Sequence, residues 1–310
     1  MMRWKDKRYN SLNYFLREKF KEKVYKVSLD GGFTCPNRDG TLSKKGCIFC
    51  SENGSGEFAG SRKKSITNQI NEQLELISKK FPCGNVIAYF QNFTNTYGDI
   101  EYLKKIYEEA LSHPRVIGIA IATRPDCIDK KILDLLEDLN KKTFLWIELG
   151  LQTSDKQTAV NINRGWKLEV FDDIVNKLNN RGIKVVAHII FGLPNENFDT
   201  MLSSVKYIVK QKVWGVKFHL LHIIKDTALE KLYKETKFHI LTKDEYIDLI
   251  GKGIEILNKD MVIHRLTGDG SRETLIEPRW SLDKRNVLNS IEKHLKENNI
   301  FQGDRYEEIT

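Results

Sequence analysis

The stretch VIGIAIATRPD, Val116 to Asp126, decides how this chain is read. Its first seven residues are apolar or glycine, rich in isoleucine, and polar residues close the run. A strand with one wet face would alternate; a short unbroken apolar run fits a strand buried on both faces. Amphipathic segments flank it, 101–112 before and 129–140 after. A strand between two such helices reads as a βαβ unit of a parallel sheet.

The same unit recurs outward in both directions. Apolar runs stand at VYKVSL (24–29), VIAYFQ (86–91), FLWIEL (144–149), KVVAHII (184–190) and GVKFHL (215–220), with further amphipathic segments at 65–80, 167–180 and 198–211. From residue 86 the run starts are spaced by 30, 28, 40 and 31 residues. The expected fold is α/β, a partial (β/α) TIM-like barrel of about six parallel strands with a small C-terminal helical extension. A complete eightfold barrel would need two more units. The expected division is residues 1–225 for the barrel with a basic N-terminal helix and 226–310 for the extension, packed as one structural unit. The extension offers a capping box, Thr242 with Glu245, a helix to about 257, a short strand MVIHRL (261–266) and a last helix at 283–297.

Composition narrows the class. No run among the 310 residues reaches the roughly 18–20 apolar positions of a membrane span. The opening MMRWKDKRYN has no apolar stretch behind its basic residues, so no secretory signal is read there. Five cysteines, few and clustered, disfavour a disulfide framework and fit a reducing cytoplasm. Residues 1–26 hold nine Lys or Arg against three acids, which places +6 of the net +8 in that segment. Aromatics are interleaved with these charges. Lys5, Lys7, Arg8, Lys19 and Lys23 are candidate RNA contacts on this ground. The alternative is an ordinary helix, with Leu12, Phe15, Leu16 and Phe20 as core and the lysines as its solvated face.

Polar residues gather where the runs end: Gln91 and Asn92, Thr123 and Arg124, Glu148 and Gln152, His188 and Gly192, and His219. In parallel α/β folds ligands bind outside the carboxyl ends of strands. A single such residue, His188 for example, is also readable as a satisfied core group. Their recurrence at one edge favours a site.

Directly after the first run comes CPNRDGTLSKKGCIFC, with Cys35, Cys47 and Cys50. Three readings compete. Structural zinc wants four ligands, so Cys83, Cys127 or a distant His would have to join. A disulfide would leave one thiol over. An iron–sulfur cubane, normally held by four Cys, would here keep one iron open, and an open metal position marks chemistry rather than structure.

Three cysteines after the first strand of a partial barrel resemble a radical S-adenosylmethionine (SAM) enzyme. The usual C-x3-C-x2-C spacing is C-x11-C-x2-C here, which resembles the radical SAM domain of the elongator catalytic subunit. Further motifs resemble that branch: Thr123-Arg124-Pro125-Asp126, Glu148-Leu-Gly-Leu-Gln152, Asn163-Arg164-Gly165 (with Trp166 where His is usual), and Gly192-Leu-Pro-Asn-Glu196. Within it, GGFTCPNRDGT (31–41), GCIFCSENGSGEFAG (46–60), YFQNFTNTYGD (89–99), LTGDGSRETLIEPRWSLDK (266–284) and Gln302-Gly303 are similar to the bacterial YtqA/YhcC-like radical SAM family.

The resemblance implies one [4Fe-4S] cluster on Cys35, Cys47 and Cys50, with SAM on the open iron. Cys83 and Cys127 match no ligand of the family. Phe49 would lie beside the adenine. Gln91, Thr94 and Asn95 occupy the place of the SAM amino-group motif without its glycines. Arg124 and Arg164 would suit the methionine carboxylate. Glu148 and Gln152 would reach the ribose or amino group, and His188 belongs to the same candidate set. The resemblance further implies an electron donor such as flavodoxin or ferredoxin. It also implies a tRNA substrate whose carboxymethylaminomethyl-uridine becomes aminomethyl-uridine. Arg265, Arg272, Arg279, Lys284 and Arg285 are compatible with RNA. The alternatives are a radical SAM enzyme for a small metabolite or protein, and a metal-stabilised RNA-binding scaffold without turnover.

Overall fold

A computed structural model describes residues 4–308 apart from 53, 55–58, 83 and 269; Cys83 therefore lies outside the described residues. The strands are β1 Tyr25–Leu29, β2 Val86–Phe90, β3 Val116–Thr123, β4 Phe144–Gln152, β5 Lys184–Phe191, β6 Gly215–Leu220, β7 Ile223–Ile224, β8 Val262–Arg265 and β9 Leu275–Glu277. The main sheet has the order β1-β2-β3-β4-β5-β6-β8, parallel throughout. β7 and β9 form a small antiparallel pair.

The helices are α1 Leu12–Phe20, α2 Ile66–Ser78, α3 Ile100–Ser112, α4 Lys130–Lys142, α5 Lys156–Asn161, α6 Leu168–Asn180, α7 Phe198–Lys210, α8 Ala228–Thr236, α9 Lys243–Ile256 and α10 Lys284–Glu297. Short polar side chains start the crossovers. Asp99, Asp129 and Asn197 accept backbone N–H bonds at the N-termini of α3, α4 and α7. The Thr242–Glu245 capping box opens α9. Among the described residues, no helix is long and apolar enough to cross a membrane.

Six parallel strands were expected, and a seventh joins them. The short run at 261–266 does not merely pack on the sheet. As β8 it pairs with β6 from Gly215–Val262 to Lys217–Arg265, across a bulge. Gln302 helps to fix it: its amide donates to Asn258 O (2.7 Å) and Met261 O (2.8 Å) and accepts from Asn10 N (2.8 Å). A single side chain thus joins the N-terminal segment, β8 and the C-terminal tail.

Successive side chains point to opposite faces of each strand. One set, such as Val27, Leu29, Ala88, Phe90, Ile119 and Ile121, packs on the covering helices. The other set faces inward, where Ile87, Tyr89, Ala120, Ala122, Trp146, Val186 and Val262 meet Leu12 and Leu16 of α1. That contact locates α1. Phe15 stacks on Phe144 with ring centroids 6.1 Å apart and meets Trp214 edge-on at 5.1 Å. Phe144 opens β4 and Trp214 immediately precedes β6. The basic N-terminal helix therefore closes the half-barrel at the amino ends of its strands.

Candidate active site

The carboxyl ends of the strands surround a cavity of about 320 Å³. Cys35, Cys47 and Cys50 all line it. So do Phe49, Gln91, Thr94, Arg124, Glu148, Gln152, Arg164 and His188. Asn95 does not: it is fully buried, and its amide donates to Asn92 O (3.0 Å) and Ala122 O (2.8 Å). It fastens the loop after β2 to the end of β3.

The cysteine loop is held at its start and at its middle. At its start, Asp30 accepts from Gly32 N (2.8 Å), Asn92 Nδ2 (2.7 Å) and Arg62 Nη2 (3.1 Å). At its middle, Asn37 Nδ2 donates to Asn163 O (2.6 Å), and Asn163 Nδ2 returns a bond to Gly46 O (2.6 Å). Asn163 and Gly165 both have positive φ, 55° and 84°. At Gly165 a Cβ would stand 3.2 Å from Asn37 Oδ1, so the turn needs glycine for both conformation and space.

An amide and a guanidinium face the thiols. Asn37 Nδ2 lies 3.6 Å from Cys47 Sγ, and Arg124 Nη1 lies 4.0 Å from Cys35 Sγ. The Cys47 thiol is brought down to about 7, first by its hydrogen bond with Cys50, then by Arg124, Asn37 and Arg38, against burial. The same bond, with burial, pushes Cys50 up. Thiolates are the metal-binding form, and N–H donors on sulfur support them. This donor set fits a cluster with three sulfur ligands: one loop, three thiols, cationic second neighbours, and a cavity beside them for a further ligand. Cys127 is paired with none of the three; burial and Asp126 push its thiol up to about 12.

The two arginines are not equivalent. Arg124 Nε and Nη2 hold Asp126 at 2.9 and 2.7 Å, which leaves Nη1 toward Cys35. Arg164 is buried and spends its donors on carbonyls: Leu151 O (2.9 Å), Thr153 O (2.7 Å) and Trp166 O (3.3 Å). Its guanidinium also stacks on Trp166, 3.7 Å from the ring centroid. It ties the end of β4 to the loop before α6. Glu196 joins the same corner through a hydrogen bond from Thr153 Oγ1, and burial raises its carboxyl to about 7.

Glu148 is the centre of a buried polar layer. Oε2 accepts from Tyr89 OH (2.8 Å), Lys217 Nζ (2.7 Å) and His188 Nε2 (2.7 Å); Oε1 accepts from Trp146 Nε1 (3.0 Å) and stands 3.8 Å from Lys26 Nζ. Burial pushes this carboxyl up, but Lys217, Lys26 and His188 outweigh it and hold it well below the usual range. Burial first, then Lys26 and Arg265, lowers Lys217 to about 7 against the pull of Glu148. Burial and Lys217 lower His188 to about 4, so the imidazole is neutral near pH 7. From this layer the sequence points to Glu148 and His188 but not to Tyr89, Lys26, Lys217 or His264, whose Nδ1 stands 4.0 Å from Glu148 Oε1. Their only signal was a polar residue inside an apolar run.

The candidate RNA contacts of the N-terminus lie at the opposite end of the strands from this cavity. Lys7 Nζ pairs with Glu292 at 2.5 Å, and the Arg8 guanidinium lies 4.2 Å from the Phe301 ring centroid. Lys19 and Lys23 cover Phe144 (4.8 Å) and Tyr25 (4.5 Å), and Lys5 stands 4.0 Å from Glu18. The cavity-end loops between β1 and α2 carry their own exposed cations, Lys44, Lys45, Arg62, Lys63 and Lys64.

Comparison with known proteins agrees with this arrangement. The Radical SAM superfamily model matches residues 35–208, and the Radical_SAM C-terminal domain model matches residues 213–297. YtqA of Bacillus subtilis is 45% identical over 304 residues, covering 98% of this chain and 94% of YtqA. YhcC of Escherichia coli K12 is 32% identical over 286 residues, covering 92% and 91% of the two chains. Among solved structures, the archaeal Methanocaldococcus infernus Elp3 superposes with a TM-score of 0.65 at 17% identity, covering 92% of this chain and 67% of that one. A likeness at that identity bears on the fold. The matched family, the loop of three cysteines and the half-barrel converge on one assignment: the chain belongs to the radical SAM superfamily, alongside YtqA and YhcC.

Proposed function

We propose that this protein is a tRNA-modifying radical SAM enzyme that converts carboxymethylaminomethyl-uridine at the wobble position to aminomethyl-uridine. The observation that carries the radical chemistry is the shared opening of Cys35, Cys47 and Cys50 onto one cavity at the carboxyl ends of the strands. One [4Fe-4S] cluster is assigned to these three residues. Cys35, Cys47 and Cys50 would hold it, and with SAM and one electron it would provide the radical chemistry by which a hydrogen atom is taken from substrate.

The chain's own groups have separate tasks. Asn37 and Arg124 steady the sulfurs. Phe49, Gln91 and Thr94 line the cavity and would face the nucleoside and amino acid parts of SAM. Arg164 keeps its carbonyl partners and so shapes the wall instead of contributing charge to a ligand. The partly apolar lining, with Ile190, Leu220 and Leu221, limits water around a reactive intermediate.

Support for an RNA substrate is of two kinds. One is the likeness to the YtqA/YhcC-like family. The other is the exposed Lys44, Lys45 and Lys63 on the loops at the cavity end, where a polyanion presenting a base to the cavity would meet them. The electron donor is a small one-electron carrier of the flavodoxin or ferredoxin class. The test is conversion in vitro: loaded, reduced protein with SAM and tRNA from a strain lacking the enzyme, followed by nucleoside analysis. Loss of the carboxymethylaminomethyl nucleoside with gain of the aminomethyl one is expected. Deoxyadenosine release without any change in tRNA would move the substrate to a metabolite or protein and overturn the RNA reading.

A further inference from the structure

The six strands β1 to β6 contain one acid, Glu148, and it faces two inward ammonium groups, Lys26 and Lys217. Both are close to it, at 3.8 and 2.7 Å, so two buried amino groups share one carboxylate. A bound anion beside them would favour the charged form of both. The two amines also have an outlet. His188 and His219 stand side by side on β5 and β6, ring centroids 5.0 Å apart, and both line the cavity. His188 Nε2 is committed to Glu148 at 2.7 Å, whereas the buried Nε2 of His219 has no hydrogen-bond partner among the described residues. A buried polar nitrogen without a partner, at a cavity wall with cations behind it, is a feature expected to be satisfied by ligand.

We propose that the β5–β6 wall of the cavity, with His219 as direct donor and Lys217 and Lys26 as supporting charges, is a subsite for a carboxylate of the substrate. This rests on the proposed function for the identity of the group, the carboxymethyl carboxylate. Its place argues against the carboxylate of SAM. Arg124 beside Cys35 follows β3, and β6 lies three strand positions away, roughly 14 Å along the sheet at about 4.8 Å per strand. Arg265, paired in register with Lys217, adds positive potential at the same wall.

The test uses cluster-loaded protein with SAM and no reductant. N-acetylglycine, a monoanion, and its uncharged methyl ester are titrated by equilibrium dialysis. Wild type is expected to prefer the acid by at least about tenfold. His219→Leu should reduce that preference to below about threefold, and His219→Asn, which keeps a donor, should retain part of it. Equal binding of acid and ester by wild type, or an undiminished preference in His219→Leu, would overturn the subsite. Competition between the acid and SAM would assign the anion to SAM and overturn it equally. Failure of tRNA conversion with the preference intact would remove the RNA reading and leave the subsite standing. Conversion of tRNA by a protein without the preference would remove the subsite alone.

Discussion

Glu148 Oε2 and Lys217 Nζ lie 2.7 Å apart in the interior of the half-barrel, on strands separated by β5. Three further donors, Tyr89, His188 and Trp146, complete the carboxylate's coordination. Removing one member of a buried pair leaves the other charge unpaired. Glu148→Leu would strand both Lys217 and Lys26. We expect it to destabilise the protein by about 3–5 kcal/mol, read as a lower denaturation midpoint in urea. Glu148→Gln should cost less, because its one amide oxygen still accepts from either Tyr89 or Trp146.

The same layer gives a pH dependence. His188 has a folded pKa of about 4, below its ordinary value of 6.5. Between those values the unfolded chain binds more protons, so stability falls as pH drops from about 6.5 toward 4. The contribution is on the order of 3 kcal/mol across that window. Lys217 is lowered to about 7 from 10.5, so its contribution rises with pH between those values. Urea titrations of wild type and His188→Gln at several pH values should show a shallower acid slope in the variant. Equal slopes would place the acid sensitivity elsewhere.

Arg164 satisfies carbonyls of Leu151, Thr153 and Trp166. Arg164→Met should therefore act on stability first, by about 2–4 kcal/mol, with little rescue by lysine. Paired thermal melts and SAM-binding titrations separate this from a direct contact. A large loss of SAM affinity at unchanged stability would return Arg164 to the ligand.

Asn37 donates toward Cys47 sulfur and to Asn163 O. Asn37→Ala should keep the three cysteines but weaken cluster retention by about 10–100-fold. Iron remaining after timed exposure to a chelator measures this. Substitution of Cys35, Cys47 or Cys50 by alanine should abolish stable loading, and Cys127→Ala should not.

Charge reversal at Lys44, Lys45 and Lys63 should weaken tRNA binding and lower the slope of log K against log salt by up to about 0.7–0.9 per lost phosphate contact. Reversal at Lys19 and Lys23, at the other end of the strands, should leave that slope unchanged. The opposite pattern would restore the N-terminal helix as the RNA surface.

Much of this was legible in the sequence because burial on both faces leaves a strong mark. Val116–Thr123 and its counterparts are near-continuous apolar runs, and their order gave the sheet. The cysteine loop was legible because three thiols in one loop have few chemical uses. Two things were hidden. β8 is four residues long, is paired across a bulge, and follows the long insertion of α8 and α9, so its partner was set by tertiary packing. The charge of the N-terminal segment was visible, but its location was not. Leu12 and Leu16 are drawn to the amino ends of the strands by inward apolar residues, a fact that exists only once the sheet has formed.

The most direct measurement is 5′-deoxyadenosine formation. The protein is loaded anaerobically with iron and sulfide, reduced, and given SAM with and without unmodified-strain tRNA, with Cys50→Ala as control. The account predicts deoxyadenosine from the loaded protein, a rise on adding tRNA, and none from the control. A fully loaded cluster that releases no deoxyadenosine under either condition would contradict it.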